Sequence, residues 1–206
     1  MSIIKTLRWI DQTDLAYPVG MGQWLGTKAP ARFTCLGALD LLKQPLLGLF
    51  SSVTCPGSLI LQAHDLAKAL QQAGILTISG FHSSVEKEML TILLRGNQPI
   101  VMALARGLER MRIPDAYTKP LEQGRMLLIS PFDAKQRRPT EKMTETRNLL
   151  VGALAERVLV IHAEPGGKLE QQCAEFLRWG KRVLTPDNFA NQNLVGLGAL
   201  PIKGMV

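Results

Sequence analysis

Residues 46–84 read LLGLFSSVTCPGSLILQAHDLAKALQQAGILTISGFHSS, and this stretch decides the fold. Leu46–Phe50 is a short apolar strand that runs into a turn rich in Ser, Thr, Pro and Gly, Ser51–Ser58. Leu59, Ala63, Leu66, Ala67 and Leu70 then recur at helical spacing, which places them on one face of an amphipathic helix that Gly74 closes. A second apolar strand, Ile75–Ile78, ends at Ser79-Gly80, directly before another helix start. Strand, helix and strand in this order form a βαβ unit. Small residues at the strand ends let backbone N–H groups approach a phosphate.

The same alternation continues outward. Ser83 stands three residues before Glu86, the spacing of a capping box, and Leu90, Leu93 and Leu94 line the helix that follows. Pro99–Leu104, Met126–Ile129, Val158–Ile161 and Arg182–Leu184 read as further strands, and the continuous apolar runs among them suit parallel strands buried on both faces. Residues 108–124 read as irregular to helical, Thr140 caps a helix carrying Met143, Leu149, Leu150, Ala153 and Leu154, and Leu169–Leu177 forms another. Five or more alternations predict an α/β fold: a doubly wound, mainly parallel Rossmann-like sheet with helices on both faces. Residues 1–45, interrupted by Pro18, Gly20, Gly22 and Gly26, read as an N-terminal extension packed on that fold, with one strand at Ala31–Leu36 and a helical turn at Ala38–Leu42. Residues 46–206 form the Rossmann-like domain, and Asn188–Val206 reads as a loop and short helix lying back on it.

A chain of 206 residues is long enough for one such domain with a substantial core. No apolar run approaches the roughly 20 residues that span a bilayer, so no membrane association is expected. The N-terminal segment lacks the apolar centre of a signal peptide. Cys35, Cys55 and Cys173 are widely spaced, which points to reduced thiols in a cytoplasm rather than a disulfide frame or a zinc site. The formal charge of +7 favours an anionic partner. Between Arg106 and Arg147 ten Lys or Arg stand against six acids, so this segment holds over half of the excess.

Ligands of doubly wound sheets lie beyond the C-terminal ends of the strands. The loops reaching that rim are Ser51–Gly57, Gly80–Ser84, Ala105–Gly107 and Ala163–Lys168. The expected anion site uses backbone groups of Ser51, Ser52, Gly80, Ser83, Gly107, Gly166 and Gly167, with His82 and Asn148 beside them. Its cations are Arg106, Arg147 and Lys168. Arg147 sits on a helix that also presents apolar residues and is expected to point toward the rim or the sheet. No nucleophile–base spacing accompanies His82, so no catalytic residue, metal or cofactor is expected. Phe81 and Trp179 are candidates for stacking on bases, although Trp179 is more ordinarily a core or helix-end packing residue.

Several short motifs occur in a recognisable order. Tyr17-Pro18, Ala29-Pro30 and Leu36-Gly37 lead in, and Leu49-Phe50-Ser51-Ser52 forms the first strand and turn. Ser79-Gly80 follows, then Arg147-Asn148 with Leu149–Leu154 and Val158–Ile161, and Gly198-Ala199 closes the series. From Tyr17 to Pro201 this order resembles the DNA-processing protein A (DprA/Smf) family. That resemblance implies a Rossmann-like protein that binds single-stranded DNA and hands it to a RecA-type recombinase, acting without catalysis and as a homodimer. Val53 stands where the family's turn carries Arg, Phe81-His82-Ser83-Ser84 replaces its Ala-Arg-Gly-Ile-Asp segment, and Leu149 replaces the second Arg of its Arg-Asn-Arg helix. Pro165-Gly166-Gly167 also begins the signature of the lysine-decarboxylase-like (LOG) phosphoribohydrolases, but Leu169, Glu170 and Cys173 stand where Gly, Thr and the catalytic Glu belong. A nucleotide-binding sensor using the same rim is the third reading.

Overall fold

The computed structural model describes residues 6–109 and 111–203. Arg110, one of the ten cations counted above, lies outside these ranges, as do residues 1–5 and 204–206. Among the described residues nine strands form one sheet: β1 (Arg8–Asp11), β2 (Arg32–Gly37), β3 (Leu47–Phe50), β4 (Thr77–Ser79), β5 (Ile100–Ala103), β6 (Met126–Ser130), β7 (Arg157–Val160), β8 (Arg182–Pro186) and β9 (Leu200–Ile202). Their spatial order is β1-β2-β6-β5-β4-β3-β7-β8-β9. All neighbours from β6 to β9 pair in parallel, whereas β2 pairs antiparallel with β6 and β1 antiparallel with β2.

Period-two alternation explains the layers. Along the strands Phe50, Ile78, Val101, Ala103, Leu127, Ile129, Val158 and Val160 enter one core. Their neighbours Leu47, Leu49, Ile100, Met102, Met126, Leu128, Leu159 and Ile161 enter the other. Helices α1 (Val19–Leu25), α5 (Glu141–Leu154) and α6 (Lys168–Arg178) cover the first face. Helices α2 (Gly57–Gln72), α3 (Ser84–Leu94) and α4 (Asp115–Glu122) cover the second. A short α7 (Gln192–Leu197) adds Leu194 to the first core. None of the described helices is long and apolar enough to cross a membrane.

Four local readings change. Ile75 and Leu76 do not belong to β4, because the end of α2 claims Ile75: its N–H donates to Leu70 O while that of Gly74, at φ 68°, donates to Gln71 O. This is a Schellman closure, and β4 begins only at Thr77. The N-terminal segment supplies β1 as well as β2, so it lengthens the sheet beyond β6. The C-terminal segment supplies a ninth strand at an edge, where Pro201 is tolerated. Phe81 and Trp179 are packing residues. Phe81 is buried in the second core, and Trp179 stacks on Trp24 with ring centroids 6.1 Å apart.

The chain lays down β3, β4, β5 and β6 toward one side, then returns to place β7, β8 and β9 on the other. The switch point therefore falls between β3 and β7, which run side by side with Phe50 opposite Val160.

Candidate nucleic-acid interface

At the switch point the loops after β3, β4 and β7 meet the first turns of α3 and α6 and one side of α5. They enclose a cleft of about 350 Å³ lined by Ser51, Ser52, His82, Ser83, Arg147 and Asn148 among others. The sequence reading treats its backbone N–H groups as open phosphate donors. The structure shows those of Ser51, Ser52, His82, Ser83, Gly166 and Gly167 already bonded within the chain. Glu86 is buried at 5% exposure, and its carboxylate accepts from Ser51 N–H at 2.9 Å, His82 N–H at 2.6 Å and Ser83 N–H at 3.3 Å. Ser83 Oγ in turn accepts from Glu86 N–H, which completes the expected capping box. A carboxylate at a helix N-terminus that collects several N–H donors occupies the electrostatic position of a phosphate.

The neighbouring donors are engaged too. Ser52 N–H donates to His162 O, and Glu164 N–H donates to Ser52 Oγ, lashing the two switch-point loops together. Gly166 N–H donates to Glu170 Oε2 at 2.7 Å, and Gly167 N–H to Glu164 O at 2.9 Å. Asn148 donates its amide to Gln172 Oε1. Lys168 pairs with Glu141 at 2.8 Å and with Glu145. Val53, where the family resemblance has Arg, is 74% exposed and brings no charge.

Arg147 does reach the sheet, as expected, but as a buried group at 3% exposure. Its guanidinium, Nη1 foremost, lies against Gly80, so close that any Cβ there would overlap it. Nη1 donates to Ala103 O at 3.4 Å, and Nε is buried without a partner among the described residues. Burial holds the guanidinium below its usual pKa, and the charge of Glu86 opposes that effect. Glu86, Glu141, Glu145 and Glu164 line this cleft against two cations, Arg147 and Lys168, so its balance is acidic. Arg106 is not brought to it. That residue follows β5, where its carbonyl accepts from Ser130 Oγ–H at 2.6 Å, and Gly107 N–H donates to Gln136 O at 2.8 Å.

A second, larger cleft of about 690 Å³ lies beyond β6, and its charge has the opposite sign. Lys135, Arg137, Arg138 and Lys142 line it with no carboxylate, and none of the four is ion-paired among the described residues. Its backbone is well pinned. Phe132 is buried with Ala105 and Met143, Gln136 bridges Asp133 and Gly107, and Arg32 meets Asp133 at 3.5 Å. Thr140 Oγ1 accepts from Met143 N–H and starts α5 at the cleft's edge. Lys142 and Thr146 also line an adjoining groove of about 340 Å³, to which Lys28 contributes. The four cations of this cleft belong to the basic segment of the sequence, and none of them is among the site residues expected from it. The signal that singles them out was present: four of the eight residues 135–142 are basic and only one is acidic.

The sequence profile of the family described as DNA recombination-mediator protein A matches residues 8–194. The chain belongs to that family. No curated protein matches it by sequence. Among solved structures, DNA processing protein A from Streptococcus pneumoniae superposes with a TM-score of 0.77 at 18% identity, over 98% of this chain and 72% of that one. DNA processing protein A from Helicobacter pylori, described as having a unique single-stranded DNA binding mode, gives 0.73 at 18% identity, over 98% and 93%. The molybdenum cofactor carrier protein from Chlamydomonas reinhardtii shares the fold more distantly, with a TM-score of 0.54 at 15% identity over 78% of this chain and 91% of that one.

Proposed function

We propose that this member of the DNA recombination-mediator protein A family binds single-stranded DNA without catalysis, and that Lys135, Arg137, Arg138 and Lys142 neutralise the phosphates. The observation that carries the reading is the cleft beyond β6, with four unpaired cations, no carboxylate and a pinned backbone. The Helicobacter pylori relative's single-stranded DNA binding supports the choice of ligand. The adjoining groove with Lys28 and Lys142 offers the strand a continuation along α5. A phosphoribohydrolase reading is disfavoured because Cys173, at the position of the catalytic Glu, is buried in the core. Within the proposed function the bound strand passes to a RecA-type recombinase and the protein acts as a homodimer, as the resemblance implies, in the cytoplasm that the cysteine usage suggests; light scattering in solution tests the dimer.

The test is fluorescence anisotropy with a labelled single-stranded oligonucleotide across a salt series. Each neutralised phosphate contributes about −0.7 to the log–log slope, so four contacts give roughly −3. Replacing Arg137 and Arg138 together by Ala should halve that slope and weaken binding at low salt, while Lys168→Ala should change affinity by less than about twofold, since its charge is already countered. Absence of binding at low salt, or a slope untouched by the double substitution, refutes the assignment.

A further inference from the structure

The switch-point cradle has every component of an oxyanion site except a vacancy. Three N–H donors from two loops converge on the point where the Glu86 carboxylate sits, ahead of the 11-residue helix α3. A helix start alone would not mark a site, but Arg147 supplies an independent sign. It lines the same cleft at 3% exposure, and its Nε is buried without a hydrogen-bond partner among the described residues, a costly state for so polar an atom. Gly80 and Arg147 together hold that guanidinium beside the cradle.

We propose that Glu86 is an internal stopper in a latent site for a single tetrahedral oxyanion such as inorganic phosphate, and that removing this side chain opens the site. The incoming anion would inherit the N–H groups of Ser51, His82 and Ser83 and face Arg147. The site is distinct from the cationic cleft beyond β6 and needs none of its residues. While Glu86 is in place, its charge and its volume both exclude an anion, so the switch point of the native protein does not contribute to phosphate binding.

Thermal unfolding of Glu86→Ala in sodium phosphate, against sodium chloride of equal ionic strength, tests this. The variant should be less stable than the native protein in chloride and should regain stability selectively in phosphate. At about fifty times a millimolar Kd, mass action raises Tm by about 5–9 °C for a chain of this length. The native protein should show only the phosphate gain that a kosmotropic anion and the cleft beyond β6 supply, and this baseline is subtracted from the variant's response. Glu86→Gln, which removes the charge but keeps the volume, should show no gain beyond that baseline. If Glu86→Ala does not fold in chloride, recovery of folded protein on refolding is compared in the two salts, and recovery in phosphate alone supports the site. A Glu86→Ala gain no larger than that baseline, failure to refold in either, or a phosphate response in Glu86→Gln matching that of Glu86→Ala overturns the proposal.

Discussion

Gly80→Ala adds one methyl group at the point where the molecule has least room for it. The new Cβ would coincide with the guanidinium of Arg147, whose tip is flexible in principle but is enclosed in practice at 3% exposure. To clear the methyl, Arg147 must leave Ala103 O, the single hydrogen bond its side chain makes among the described residues. A displaced guanidinium that stays inside is an unsatisfied buried group costing about 1–3 kcal/mol, and as a charge it costs more. If it swings outward it leaves a void beneath α5 and takes its charge away from Glu86. Either route predicts a loss of about 3 kcal/mol, equivalent to a fall in Tm of about 6–12 °C for a chain of this size. The assay is a double-mutant cycle by urea denaturation. Arg147→Ala alone should cost a comparable amount, and the pair should cost about the same as Arg147→Ala by itself, because the second substitution removes the group with which the methyl collides. The coupling should therefore be about 2–3 kcal/mol, well above the few tenths found for independent sites. A Gly80→Ala protein within about 0.5 kcal/mol of the native one, or two costs that simply add, would refute the reasoning.

Three further perturbations test other parts of the structure. Ser83→Ala removes the side-chain half of the α3 cap and should cost about 1 kcal/mol, or about 2–4 °C, by thermal unfolding; no change would mean that Glu86 alone holds the helix start. Burial pushes the Cys173 thiol up from 9.0 to about 12. Below pH 9 both folded and unfolded chains carry the neutral thiol. Between pH 9 and 12 only the unfolded chain ionises, so stability should fall with a component of up to about 1.4 kcal/mol per pH unit. Cys173→Ala should lack that component in urea titrations at successive pH values, and parallel curves for the two proteins would count against it. Glu145→Lys replaces the one carboxylate on the groove shared by Lys28 and Lys142. It should tighten oligonucleotide binding and steepen the salt slope by about 0.7, and unchanged or weaker binding would exclude the groove from the DNA path.

Most of the fold was legible because its signals are local. Pro99–Leu104 and Val158–Ile161 are continuous apolar runs of the kind that strands covered on both faces carry; β5 forms within the first, and β7 overlaps the second, shifted by one residue to Arg157–Val160. Strands β1 and β9 were not legible, since each is short, mostly exposed and defined by its neighbour rather than its own pattern. The boundary of β4 moved for a nearby reason: the closing turn of α2 claimed Ile75. The site was harder to read. Sequence locates N–H groups at the ends of strands and helices, but what occupies them depends on approaches between distant residues. Glu86 was recognised as a cap for Ser83 three residues away, while its bond to Ser51, 35 residues away, exists only in the folded chain. The cationic loop at residues 135–138 was visible as a charge count; its freedom from acidic partners was not.

One helix keeps the two clefts apart. Along α5, Glu141, Glu145 and Asn148 recur at intervals of four and three and line the switch-point side. Lys142 and Thr146, one residue along, line the cleft beyond β6. A step of one residue turns a helix by about 100°, enough to send acids to one cleft and a cation to the other. Buried Arg147 supports the acidic stripe from behind, against Gly80 and beside Glu86. A polyanion approaching this rim meets carboxylates at the switch point and unpaired cations next to it. On the proposed function, electrostatics direct a phosphate backbone past the usual ligand position of a doubly wound sheet and onto its neighbour.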